Sequence, residues 1–338
     1  MNGRYARQMV LPEVGAAGQA KLTSATVLVV RAGGLGCPVL QYLAAAGIGR
    51  LVLVDHDRVE ESNLHRQPLY RMTDMGRLKV EAAKQALDAL NPSVAVDAWP
   101  VYCDPAVARD LVARADVVVD AADSVAVTYT LSDTCKAAAK PLVSASCLGL
   151  TGYVGTFCAG APSYRAVFPD IPSNLGNCAT SGILGSVAGV LGTLQAQMVL
   201  ALLLDLSPSP LGRMISVDLR TLEFGGFSFV GAPESADGAT PFIAPSEINP
   251  DDVIVDLRTL DEVLVSPFPH ARRATTETIL ERSQDIPNSH RIVLCCRSGL
   301  RAWRAASLLR DQGRHKLALL ARGNQDELSA LPTVGGSI

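Results

Sequence analysis

Six uncharged residues, Ala25–Val30 (ATVLVV), run directly into the glycine-rich turn Arg31-Ala32-Gly33-Gly34-Leu35-Gly36 and then into a helix-compatible segment, Pro38–Ala46. A strand with no apolar/polar alternation has no face to give to water. It must be covered on both sides, which is the situation of a parallel strand between helical layers. The unit recurs. Leu51–Val54 (LVLV) reads as a second strand, and Gly76–Leu90 carries Leu78, Ala82, Ala86 and Leu90 at helical spacing before Asn91-Pro92 stops it. Val94–Trp99, Asp116–Asp120 (DVVVD) and Leu142–Ser146 read as further strands, with helices over Pro105–Ala113 and Ser124–Ala139 between them. Strand–helix alternation of this kind predicts an α/β chain with a Rossmann-like, mostly parallel sheet.

The 338 residues leave room for more than one such layer. After Phe229 the stretch VGAPESADGATPFIAPSE has no periodicity and reads as a linker. Beyond it Val253–Asp256 (VIVD), Ile292–Leu294 and a helix over Ala302–Leu309 indicate a smaller α/β domain. The expected division is 1–228, a linker over 229–245, and 246–338. With 30 Lys+Arg against 33 Asp+Glu and no basic run, nucleic acid is a poor partner. Eight cysteines without a CxxC pair do not make a secreted disulfide scaffold, and MNGRYARQMV is no signal peptide, so a cytoplasmic setting is expected. No charge falls between Asp170 and Asp205, and Gly182–Leu206 could nominally span a bilayer. Gly182, Gly185, Gly189 and Gly192 instead put small residues on one helical face, so a buried helix rather than a membrane segment is expected.

The glycines after the first strand suit a backbone that approaches phosphate at a helix N-terminus, and Asp55 ends the second strand where a ribose hydroxyl would sit. Alone, that pattern fits an NAD-dependent oxidoreductase equally well. Its first glycine position holds Arg31, which either strains a turn that needs positive φ or offers its own cation to phosphate; both readings stand at this stage.

The residues that follow separate the two classes. Asp55-His56-Asp57, Ser62-Asn63-Leu64-His65-Arg66-Gln67 and Gly76-Arg77-Leu78-Lys79, with Arg4-Tyr5-Ala6-Arg7-Gln8 upstream, resemble the MoeB/ThiF family, bacterial relatives of ubiquitin-activating enzymes. The resemblance covers roughly residues 1–228. It implies adenylation by ATP and Mg²⁺ of the C-terminal glycine (Gly-Gly) of a ubiquitin-like sulfur carrier protein. Gly33, Gly34 and Gly36 would cradle the nucleotide, Asp55 would hold its ribose, and Asn63 and Gln67 would position it. Arg66 and Lys79 would contact phosphates. Asp123 would bind the metal, and Arg7 would reach the partner's site in a homodimer. The family's Asp-Asn reads Asp123-Ser124 here, and its Arg five residues after that Asp is Thr128.

Many relatives hold zinc with two CxxC pairs. The first pair's positions here read Ser163 and Ala166, and no cysteine lies between Cys178 and Cys295, so no zinc is expected. Cys178, in Asn177-Cys178-Ala179-Thr180, matches the cysteine some relatives use in a thioester or acyl-disulfide step. In the second domain, Cys296-Arg297-Ser298-Gly299-Leu300-Arg301 resembles a rhodanese active-site loop, and Asp256-Leu257-Arg258 resembles the Asp-x-Arg that opens rhodanese domains. Amides and guanidinium groups around Cys296 are expected to favour its thiolate, with Arg297, Ser298, Gly299 and Arg301 forming the sulfur-binding loop; Cys295 is expected to face the core. The fusion resembles the MoeZ type. It implies a persulfide donor, such as a cysteine desulfurase, and a thiocarboxylate product. A non-adenylating scaffold that delivers sulfur is the alternative.

Overall fold

The computed structural model describes residues 3–171, 182–234, 240–264, 266–268 and 270–321. Contacts divide the chain into two units, Met1–Asp123 with Val127–Ser235, and Ser124–Ala126 with Ala236–Ile338.

In the first unit, Val27, Leu28, Val29 and Val30 of strand β1 (Thr26–Val30) are fully buried. Each such side chain contributes about 1.5–3 kcal/mol relative to exposure, so β1 is committed to the centre of a covered sheet. The other strands are β2 (Arg50–Val54), β3 (Ala95–Trp99), β4 (Val117–Asp120), β5 (Leu142–Leu148), β6 (Thr151–Phe157), β7 (Arg213–Asp218) and β8 (Glu223–Ser228), in the order β3-β2-β1-β4-β5-β6-β7-β8. The first five are parallel, and β5 through β8 continue as an antiparallel meander. The expected sheet is therefore present, extended by three strands the sequence reading lacked.

Among the described residues the helices of this part are α1 (Gly15–Ser24), α2 (Gly36–Ala46), α3 (Lys79–Leu90), α4 (Pro105–Ala113), α5 (Val125–Ala137), the single turn α6 (Tyr164–Val167) and α7 (Gly185–Leu203). α3 starts three residues later than its periodicity suggests, because Gly76 turns at φ +78 and Leu78 is extended, bridging Arg58. By length and composition α7 is the one helix among the described residues able to cross a membrane. It packs against α2 and the sheet, with Val187, Leu191, Gln195 and Val199 buried at four-residue intervals. The buried amide of Gln195 donates to the carbonyls of Asp120 (2.8 Å) and Val143 (3.3 Å), tying the helix to β4 and β5. Of the expected small-residue face only Gly185 and Gly192 make close contacts; Gly182 precedes the helix at φ +70 and, like Gly189, has open space around it. A Cβ on Gly185 or Gly192 would stand 2.3 Å from the carbonyl of His65 or Leu35, whereas one on Gly189 would meet nothing within 4 Å.

The second unit holds a four-stranded parallel sheet, β9 (Val253–Asp256), β10 (Arg272–Arg273), β11 (Ile292–Cys296) and β12 (Leu317–Ala321), ordered β10-β9-β11-β12. Its helices are α8 (Ile279–Arg282) and α9 (Leu300–Asp311). Ile243, Val293, Cys295, Ala318 and Leu320 form its core, so Cys295 does face inward. The ends of the expected linker are structural. Phe229 is buried in the first unit, and Phe242, Ile243 and Ala244 are buried in the second.

Candidate functional site

Parallel register brings the ends of three strands level. Val30 pairs with Val54 on one side and with Asp120 on the other, so the chain leaves β1, β2 and β4 at one edge. With β2 and β4 on opposite sides of β1, this edge is the switch point where α/β sheets open a crevice. The β1–α2 loop turns there tightly. A Cβ on Gly36 would lie 2.1 Å from the Arg31 carbonyl, and one on Gly34 would lie 3.1 Å from Ala188 and 3.5 Å from Arg66. Above Gly33 the nearest atom to such a Cβ is Gln67 Nε2 at 3.9 Å, which leaves a cradle. Gln67 Oε1, buried, has no hydrogen-bond partner among the described residues.

Arg31 resolves the question its position raised. Its φ is +81°, a left-handed conformation that costs a non-glycine residue about 1–2 kcal/mol. Its guanidinium turns to protein acids: Nη1 donates to Asp55 Oδ1 (2.8 Å) and Nη2 to Asp57 Oδ2 (2.8 Å), with His56 Nδ1 at 3.2 Å and Asp123 Oδ1 at 3.7 Å. Asp55, at the end of β2 as expected, has a fully buried side chain. Its Oδ2 accepts from the Ala32 amide (2.8 Å) and its Oδ1 also from the Asp57 amide (2.9 Å). Asp55, His56 and Asp57 bring ligand-type atoms within 4.8 Å of one another. With Arg31 lying in their midst, they do not fit a metal ion.

Lys79 is nearly buried and joins the cluster through Asp57 Oδ2 at 3.2 Å. Burial alone would raise the Asp57 carboxyl, but Arg31, Lys79 and His56 together hold it down at about 2. Burial and the Arg31 charge pull His56 below the ordinary histidine value, against the opposing pull of Asp57 and Asp55. Asp57 and His56 were legible only as neighbours of Asp55; the signal that could have found them is the second acid of the Asp-x-Asp run. Asn63 is buried beside the loop and donates to Ser62 Oγ (3.2 Å), and Arg66 donates to the Ser62 carbonyl (2.9 Å). Asp123 is mostly exposed, with Oδ1 3.7 Å from Arg31 Nη2. Arg7 lies in the exposed N-terminal segment, away from these contacts. Cys178 lies outside the described residues. Gly33, Gly34, Gln67, Arg66 and Lys79 thus fit a polyphosphate with its base, whereas Asp55 is already engaged.

The segment expected to lack zinc is clasped differently. Ser163 donates its amide (2.9 Å) and hydroxyl (2.6 Å) to Glu234, which also pairs with Lys136 at 3.1 Å. With an alanine at 166, that donor set does not fit a tetrahedral thiolate centre.

In the second unit, the loop after β11 wraps the Cys296 sulfur. Sγ accepts the amides of Gly299 (3.1 Å) and Ala302 (3.4 Å) at the N-terminus of α9, with Gly299 at φ +88°. Arg301 is drawn off to Glu262 (2.6 and 2.7 Å) and the Leu257 carbonyl, while Arg297 and Ser298 are exposed. The expectation of a ready thiolate is corrected here. Burial raises the Cys296 thiol above the ordinary cysteine value, and this outweighs the amides of Ala302 and Gly299 and the Arg301 charge. Arg258 forks onto Asp256 through Nε (2.9 Å) and Nη2 (2.8 Å), both groups buried, and so braces the end of β9.

The chain is similar to several known proteins. Adenylyltransferase and sulfurtransferase MOCS3 of Bos taurus is 50% identical over 224 residues, 65% of this chain and 49% of that protein. The SAMP-activating enzyme E1 of Haloferax volcanii is 41% identical over 223 residues, 65% of this chain and 83% of that protein. This chain spans about half the length of the MOCS3 relatives it matches. Among solved structures, E. coli MccB with ATP superposes with a TM-score of 0.61 at 25% identity, covering 69% of this chain and 73% of that one. The ThiF family description matches residues 5–236, which take in the glycine loop, the Asp55 cluster and the α7 packing that holds them together, and the chain belongs to that family.

Proposed function

We propose that this chain adenylates the C-terminal glycine of a ubiquitin-like sulfur carrier protein with ATP and then passes sulfur to it, working as a homodimer in the cytoplasm. The observation that carries the reading is the meeting of the glycine loop, Arg66, Gln67 and Lys79 at the switch point of a ThiF-family sheet. The names of the MOCS3 and SAMP-activating relatives, and the MccB structure with ATP, support the same chemistry.

In this reading the Gly33–Gly34 backbone and the N-terminus of α2 hold phosphates, and the Gln67 side chain meets the base. Arg66 and Lys79 offset the charge that grows as a carrier carboxylate oxygen attacks the α-phosphorus and pyrophosphate leaves. Mg²⁺, held by Asp123, would neutralise the departing phosphates. The second unit would act as a rhodanese-like module. The terminal sulfur of a Cys296 persulfide, loaded by a cysteine desulfurase or another persulfide donor, attacks the acyl carbon and AMP leaves. The product is an acyl disulfide, and a second thiol must cut its S–S bond to release the thiocarboxylate. Cys178 is the residue that the family resemblance puts forward for a thioester or acyl-disulfide intermediate. Cys296 is fully buried as a thiol; the amides of Gly299 and Ala302 are placed to stabilise an anion on the sulfur they already touch.

The test is ATP–pyrophosphate exchange with the carrier protein, followed by mass spectrometry of the carrier after addition of a persulfide donor. Exchange and an oxygen-to-sulfur mass change are expected, the latter lost in Cys296→Ala while exchange persists. Absence of exchange with a competent carrier removes the adenylation claim, leaving a sulfur-delivering scaffold. An unchanged thiocarboxylate yield in Cys296→Ala removes the sulfur route.

A further inference from the structure

A left-handed arginine at the switch point is an expensive choice of residue. Such strain persists where the surroundings over-determine it, and it tends to mark sites with a task. Here four groups hold the side chain of Arg31: Asp55, Asp57, His56 and, at 3.7 Å, Asp123. The Tyr70 hydroxyl, donating to the Ala32 carbonyl at 2.8 Å, pins the loop from the other side.

The consequence falls on Asp55. A carboxylate offers about four lone-pair sites. In Asp55 three are filled, two on Oδ1 by Arg31 and the Asp57 amide and one on Oδ2 by the Ala32 amide; the fourth, on Oδ2, is out of a ligand's reach because the side chain beneath Arg31 has no exposure. We infer that Arg31 is the fixed counter-ion of this cleft and closes Asp55 to ribose hydroxyls, so that this chain binds the adenine and phosphates of its nucleotide without reading the ribose. The inference rests on the adenylation reading above. It makes residue 31 a determinant of nucleotide specificity: glycine there would leave Asp55 its acceptor capacity, and arginine consumes it.

The discriminating measurement is the ratio of dissociation constants for 2′,3′-dideoxy-ATP and ATP, read by titration calorimetry on the full chain. For the parent protein the ratio is expected near one. In Arg31→Gly, which suits a φ of +81°, Asp55 regains a free acceptor site. A hydrogen bond to a charged group then favours ATP by roughly tenfold or more. Arg31→Asn, which also tolerates left-handed backbone, should move the ratio the same way, and circular dichroism checks that both variants fold. A parent that already prefers ATP tenfold, or folded variants whose ratio stays near one, would overturn the inference while leaving nucleotide binding intact. Failure of parent and folded variants to bind either compound at millimolar concentration would overturn the adenylation reading, and this inference with it.

Discussion

Replacing Asp120 by asparagine should flatten the pH dependence of stability between about pH 4 and 6 and stabilise the chain above it. Asp120 ends β4 with no exposure; its Oδ2 accepts from Ser144 Oγ (2.8 Å) and its Oδ1 from the Ala122 amide (3.1 Å). Burial pushes its carboxyl up to about 6, despite hydrogen bonds from Ser144, Thr128 and Ala122 that pull the other way. An aspartate in the unfolded chain titrates near 3.9, so the gap of about two units corresponds to about 3 kcal/mol. The sign follows from proton counting. Between pH 4 and 6 the folded state holds a proton that the unfolded state has released, so stability falls as pH rises and the full penalty is present above 6. Asparagine keeps an acceptor for Ala122 and carries no charge. Urea unfolding of parent and Asp120→Asn at a series of pH values from 4.5 to 8 measures the difference. The variant should gain up to about 3 kcal/mol at pH 8 and far less at pH 4.5. Asp57, held at about 2, loses its contribution as pH falls from the lower edge of this window towards 2, and it does so equally in both proteins, so it does not mask the effect. Parallel profiles for the two proteins would refute the reasoning, because they would mean that Asp120 stays ionised without cost.

The α7 glycines offer a matched pair. In Gly192→Ala the new Cβ would meet the Leu35 carbonyl at 2.3 Å and Pro38 at 2.5 Å, an overpacking expected to cost about 1–3 kcal/mol in urea unfolding. Gly189→Ala meets nothing and should be neutral or gain up to about 1 kcal/mol from helix propensity; equal effects at both positions would contradict the packing of α7 on α2. At Cys296, alkylation by iodoacetamide, followed peptide by peptide in the mass spectrometer, should rise only above the ordinary cysteine range. Glu262→Gln should shift that rise to lower pH, because the Arg301 charge then acts on the sulfur less compensated. An alkylation midpoint below the ordinary cysteine range in the parent would show that burial does not govern this thiol.

What could be read from the chain in advance depended on whether burial left a periodic trace. β1, β2 and β4 are almost wholly buried, so their valine-rich runs were unambiguous, and α4 spans the expected Pro105–Ala113, where the structure adds the Asp104 side chain capping Ala106 and Val107. β8 left no such trace. All six of its residues are exposed, and its Gly225-Gly226 pair exists for contact rather than burial, since a Cβ on Gly226 would stand 2.5 Å from the Met214 carbonyl. β7 alternates only weakly between buried and half-exposed positions, and its partner β6 begins exposed, so neither makes a continuous apolar run. Phe229 and Phe242 show the converse failure. Each is an apolar side chain in a stretch rich in proline, glycine and alanine, and composition reads such a stretch as a linker even where one side chain anchors each end.

The site divides along the same physical line. Residues whose role depends on position along one strand or loop, such as Gly33, Gly36, Asp55 and Cys296, sit where spacing placed them. Roles that depend on which group satisfies which were not legible, because a hydrogen-bonding partner is chosen in three dimensions. Asp55 and Arg31 are 24 residues apart in sequence, and only the Val30–Val54 register and the left-handed turn at Arg31 bring them to 2.8 Å. Cys296 makes the same point with the opposite sign. Its amides and its arginine are all present as the motif implies, but Glu262, 39 residues from Arg301, takes the arginine, and burial takes the thiol away from the anion. A motif therefore fixes which atoms are available to a site, while the long-range pairs decide the charge those atoms present.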